Sequence, residues 1–178
     1  MLKDFKPVFF ILLRFLGIYL VLVFIYQLYL NQYIGIGLDP VSQWIAEQVG
    51  FVQNTCGYET HLVPYKDKDA TWFYVNKNWV SIMVEGCNAI SVMILFISFI
   101  FAFYQGKKTF VFAGIGLLLL HLMNIFRIMM MNIVILEMPK KYTKIAHDYF
   151  FPAIIYGSVV ILWVVWIKFF VLKNNEKH

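Results

Sequence analysis

The sequence predicts an all-α integral membrane protein of about four transmembrane helices, with an extracytoplasmic loop carrying a short amphipathic helix and a β-hairpin. Three observations predict it. The chain is 61% hydrophobic and only 14% charged over 178 residues, with a mean hydropathy of +0.71. A soluble domain of this size carries about a quarter charged residues and cannot hide so much apolar surface. Apolar runs of spanning length recur along the chain, separated by short polar turns. The eleven tyrosines, five tryptophans and scattered lysines suit the two interfaces of a bilayer. The net charge of +5 sits at segment ends rather than in a stripe, which suits lipid headgroups and gives no reason to expect nucleic acid.

The first span runs from about 8 to 30, interrupted by Arg14 and Gln27. It is too long for the core of a signal peptide, so it reads as an uncleaved helix with Arg14 snorkelling toward the side of Lys3 and Lys6. The second, 88 to 104, is about 17 residues and lies at the lower limit for crossing. Gly106-Lys107-Lys108 closes it. The third, 109 to 136, contains His121, Asn124, Arg127 and Asn132. The fourth, 149 to 172, ends in the polar tail Lys173 to His178. The whole chain, 1–178, is read as one polytopic domain.

Residues 31–87 form the long loop. Asp39-Pro40 is a helix start, an N-cap followed by proline at the first position. Val41, Ile45, Val49 and Val52 recur on one face, predicting a short helix lying on the membrane surface. Trp72 to Val75 and Trp79 to Val84, separated by Asn76-Lys77-Asn78, predict a hairpin. With four spans the N-terminus, the Gly106 turn and the tail share one side. Their lysines favour a cytoplasmic N-terminus, against the opposing cluster of Lys140, Lys141 and Lys144.

Charged residues inside a span face a bundle interior or a water-filled cavity far more often than lipid. Arg127 is the sharpest case, and Asn124, three positions earlier, shares its face. Span parity brings two further residues to the same boundary. Cys87 lies where the hairpin ends and the second span begins, and His147 lies just before the fourth span. A thiol becomes a good nucleophile once deprotonated, and a neighbouring cation favours that form. Histidine exchanges protons near neutral pH. Arginine keeps its charge and can hold a developing oxyanion. The blander alternatives are a Cys56–Cys87 disulfide, an Arg127–Glu137 pair, an interfacial His147–Asp148 pair and a hydrogen-bonded structural role for His121. No metal or other cofactor is expected, because His61, His147 and the nearby acids lack ligand spacing.

Cys87-Asn88-Ala89-Ile90 at a span start, Asn124-Ile125-Phe126-Arg127 within the next and His147 at the last resemble the exosortase/archaeosortase family in order and spacing. The resemblance covers Glu85 to Gly157 and looks most like the short exosortase F branch. It implies a cysteine transpeptidase or protease of the bacterial inner membrane, with its site facing the extracytoplasmic side. Its implied partners are membrane-anchored proteins bearing C-terminal sorting signals, with room for a small membrane partner protein. Carried over, Cys87 is the nucleophile, Arg127 the oxyanion or thiolate stabiliser and His147 the acid/base, supported by Asn124, Glu85, Asn88 and Asp148. Family members typically have more spans, so this chain resembles a reduced form. The alternatives are a non-catalytic subunit or assembly factor of an export system, and a small transporter component using Arg127, His121 and the asparagines.

Overall fold

A computed structural model describes residues 6–65 and 68–172; Lys3, Lys66 and the tail from 173 lie outside the described residues. Among the described residues, three helical runs are long and apolar enough to cross a membrane: Val8–Leu30, Lys107–Glu137 and Lys141–Leu172. The first lies within α1 (Lys6–Leu30). The second is α4 (Lys107–Glu137).

The third begins earlier than the sequence predicts. Helix α5 (Lys140–Ile145) continues through a π-helical segment, Ala146–Phe150, into α6 (Phe151–Trp166). His147 therefore sits inside a helical run and not before one. Pro152 accounts for the widened turn. It has no N–H for the carbonyl of Asp148, and its ring would crowd that carbonyl in a regular helix. The Phe151 N–H instead reaches the carbonyl of Ala146, five residues back.

The predicted second span is a short helix. Helix α3 (Ile90–Ala102) has 13 residues, about 20 Å at 1.5 Å per residue, against roughly 30 Å of hydrocarbon. It runs antiparallel to α1. Tyr26 meets Asn88 at one end, and Arg14 reaches the Ala102 carbonyl at the other, 3.5 Å away. Helices α3, α4 and α6 share an apolar core that includes Phe96, Ile100, Leu120, Val159 and Trp166. Gly116 lets α4 approach the Phe96 ring, which a Cβ at that position would overlap. Phe96 is fully buried and has little room to yield. Gly116→Ala is therefore expected to destabilise the protein by about 1–3 kcal/mol, despite the better helix propensity of alanine. The thermal midpoint in detergent micelles checks this, and an unchanged midpoint would mean that α3 and α4 do not meet there.

Helix α2 (Pro40–Thr55) starts where Asp39-Pro40 predicts, with Asp39 Oδ1 accepting from the Val41 and Ser42 amides. Its apolar face does not lie on lipid. Ile45, Ala46 and Val49 are buried against Ile125 and Ile128 of α4 and against the sheet. Trp44 and Phe51 point outward instead. The predicted hairpin is present as β2 (Ala70–Val75) and β3 (Asn78–Met83), joined by Asn76 and Lys77, both at positive φ as a two-residue turn requires. A strand the sequence did not predict, β1 (Thr60–Tyr65), completes an antiparallel sheet in the order β1-β2-β3. Pro64 interrupts β1 and is tolerated because the strand is an edge.

Candidate active site

The cysteine lies in a tight elbow. A 3₁₀ turn, Glu85–Cys87, leaves β3 through the extended residue Val84. Asn88 follows in right-handed helical geometry, and Ala89 takes a left-handed one at φ 59° before α3 begins. An alanine there costs about 1–2 kcal/mol, so surrounding bonds must hold it. Asn88 supplies them. Its buried amide donates to Tyr26 Oη at 2.7 Å and Ser42 Oγ at 2.8 Å, and its Oδ1 accepts the Ile90 amide at 2.9 Å. One side chain thus ties the elbow to α1, to α2 and to the start of α3.

Two side chains of α4 reach the cysteine itself. Asn124 Nδ2 and Arg127 Nη2 both donate to the Cys87 carbonyl, at 3.1 and 3.0 Å. The guanidinium lies near enough to Cys87 and Tyr156 to interact with either group in its charged form. Arg127 Nε is buried with no hydrogen-bond partner among the described residues. Glu137 is not its partner; it lies about 15 Å further along α4. Arg127 itself lies about 30 Å from Lys107 along the helix, a distance close to the thickness of a bilayer's hydrocarbon core.

Cys87, Arg127 and His147 line one cavity of about 540 Å³, between β3, α4 and the start of α6. His147 is bound through Nδ1 to Asp148 Oδ1 at 3.0 Å, and its side chain is 70% exposed. With Nδ1 engaged, Nε2 is the nitrogen left for the cavity. Among the described residues no hydrogen bond joins His147 to Cys87 or Arg127. The remaining sequence-predicted residues do not line the cavity. Asn124 and Asn88 position the elbow, Asp148 orients the histidine, and Glu85 lines a separate recess with Tyr33, Asp39 and Asp69.

Both cysteines are free, and Cys56 is exposed at the end of α2. His121 is held by Gln48 Oε1 at 2.9 Å and stacks on Trp44, a structural role like the one the sequence suggests. Among the described residues no group of three or more His, Cys, Asp or Glu converges in a way that could hold a metal.

Sequence reasoning missed several contributors. Ser81 donates to Asn132 Oδ1, and Asn132 Nδ2 donates to Gln53 Oε1, a polar chain that opens on the cavity through Ser81 and Asn132. Trp72 forms one lip of the cavity. Asn132 is visible as a polar residue within an apolar run and Trp72 as part of the hairpin, but neither is assigned to the site by sequence; nothing in sequence marks Ser81 or Tyr156. Comparison with protein-family models, with curated proteins and with solved structures finds no match to this chain.

Proposed function

We propose that this chain is an exosortase-like membrane cysteine transpeptidase or protease that cleaves C-terminal segments of membrane-anchored exported proteins. In this reading α3 is a fourth, short crossing, and the sheet end of the bundle faces the extracytoplasmic side of a bacterial inner membrane. One observation carries the proposal. Among the described residues, the one cysteine, one arginine and one histidine that line the cavity come from three separate elements.

The chemistry follows from their positions. The Cys87 thiolate adds to a substrate carbonyl, forming the C–S bond and moving the carbonyl π electrons onto oxygen. Arg127, which lines the cavity, supplies a charged donor for that oxyanion. Collapse of the intermediate breaks the C–N bond, and the departing amine takes a proton from His147 Nε2. Asp148 at Nδ1 holds the ring in the required tautomer and stabilises the imidazolium. The thioester is then attacked by an amine or by water, whose proton returns to His147, and the thiolate leaves. An amine acceptor gives transpeptidation and water gives hydrolysis.

The transporter alternative has little support, because residues 110–120 of α4, between the Gly106 turn and His121, carry no polar side chain. The non-catalytic alternative is separated by thiol reactivity. In Cys56→Ser protein in detergent, iodoacetamide is expected to alkylate Cys87 with a pH–rate profile that changes in both Arg127→Ala and His147→Ala. The rate near neutral pH should fall without the arginine. A thiol indifferent to both residues would end the catalytic reading and leave a membrane subunit without chemistry of its own.

A further inference from the structure

The cavity holds more of β3 than its neighbouring side chains. Val80, Ser81, Ile82 and Met83, four consecutive residues, all line it. Successive side chains of a strand point to opposite faces. A cavity lying on one face would meet every second residue, so this one runs along the strand's edge. Residues reaching it from both faces agree. Trp72 and its cross-strand partner Ile82 close one lip, and Ser81 with its bonded partner Asn132 closes the other.

That edge is open. The strand order leaves β3 paired on one side only. In an antiparallel ladder alternate residues turn their N–H and C=O away from the partner strand. Among the described residues no backbone group from outside the sheet bonds to β3. Open edges are usually blunted with proline or charge. The opposite edge carries Pro64, whereas Asn78–Met83 has neither proline nor a charged residue. A register shift opposite Phe73 and Tyr74 leaves Val80 as an extra residue, a bulge of the kind found beside active sites. From Met83 the chain continues through extended Val84 to Cys87.

We infer that the substrate is an extended polypeptide segment that adds to β3 as a fourth strand, its main chain bonded along this edge and its cleaved peptide delivered to Cys87. This rests on the reading of Cys87 as nucleophile. A main chain with free N–H and C=O groups is the chemistry that satisfies such an edge; a helix has none to offer along its length. The two lips differ, so the segment should alternate. Side chains toward Ser81 and Asn132 are small or polar, and those toward Trp72 and Ile82 are apolar.

Hydrogen exchange tests this without any chemistry at the thiol. The full chain carrying Cys87→Ala in detergent is mixed with millimolar Ac-Ser-Val-Ser-Val-NH₂, or with either of two versions N-methylated at alternate amides. The unmodified peptide should slow exchange at alternate amides of residues 78–83 by about tenfold or more, as new main-chain bonds form. One methylated version should lose that protection and the other keep it, because only one set of peptide amides faces β3. No protection, or equal loss in both versions, overturns the inference. So does protection that grows with protein concentration alone, which assigns the edge to a second copy of the chain. Absent protection together with alkylation of Cys87 coupled to Arg127 and His147 defeats only the strand addition. Alternating protection beside an uncoupled thiol defeats only the catalytic reading.

Discussion

Replacing Cys87 with alanine is expected to abolish C-terminal processing while leaving the fold intact. Loss of a nucleophile that forms the covalent intermediate reduces turnover by many orders of magnitude, so processed protein should fall to the level of cells lacking the chain. The structure separates this loss from misfolding. Asn124 and Arg127 bind the Cys87 carbonyl, which alanine keeps. The elbow is held by Asn88 and not by the thiol, and Cys87 is only half-buried. The measurement is mass spectrometry of the C-termini of exported membrane proteins, in cells making equal amounts of parent or Cys87→Ala chain. Truncated termini should disappear and full-length forms accumulate. Unchanged termini at matched expression would exclude Cys87 as the nucleophile. Cys87→Ser keeps the shape but offers a hydroxyl that ionises far less readily, so it too should be inactive or nearly so.

The elements whose cause is local were legible in the sequence. Long apolar runs gave α1, α4 and most of α6, because length against bilayer thickness decides a span. Asp39-Pro40 placed the start of α2, and the residues around Asn76 placed the hairpin turn. What the sequence left open was set by partners. Periodicity marked the apolar face of α2 through Ile45 and Val49, but a hydrophobic stripe reads the same whether lipid or α4 covers it. Strand β1 was hidden by Pro64, which usually argues against a strand and is harmless at an edge. The fourth span is expected from 149, whereas the helix starts at Lys140 and passes Pro152 by widening over Ala146–Phe150.

The site divides in the same way. Parity alone brought Cys87, Arg127 and His147 to one end of the bundle, and they line one cavity. That Arg127 binds a backbone carbonyl left no trace, since carbonyls carry no sequence signal. Nor did the contribution of the first half. Tyr26 and Ser42 hold the elbow, and Tyr29 Oη contacts Asp39 Oδ1 at 3.2 Å and the Val41 amide at 3.3 Å. Helix α1 is therefore part of what positions the cysteine as well as a membrane anchor.

The largest stability loss is expected from Asn88→Ala, about 3 kcal/mol. Asn88 is fully buried, and all three of its bonds reach different elements. The Ile90 amide would lose its side-chain acceptor, worth about 0.5–1.5 kcal/mol. The Ser42 hydroxyl, itself buried, would need a new acceptor or donor, at roughly 1 kcal/mol. The space left by the carboxamide adds to both. Left-handed Ala89 sharpens the prediction, because a strained residue persists only while its surroundings over-determine it. Without Asn88 the elbow should relax toward ordinary backbone angles and carry Cys87 away from Arg127. Two readings follow from one variant: a lowered unfolding midpoint in detergent, and Cys87 alkylation that no longer depends on Arg127. Ser42→Ala removes a single arm and should cost about 1 kcal/mol, with that dependence retained. If Asn88→Ala proved no more destabilising than Ser42→Ala, the elbow would be held by the helices around it and not by the asparagine. The strain at Ala89 would then have another support.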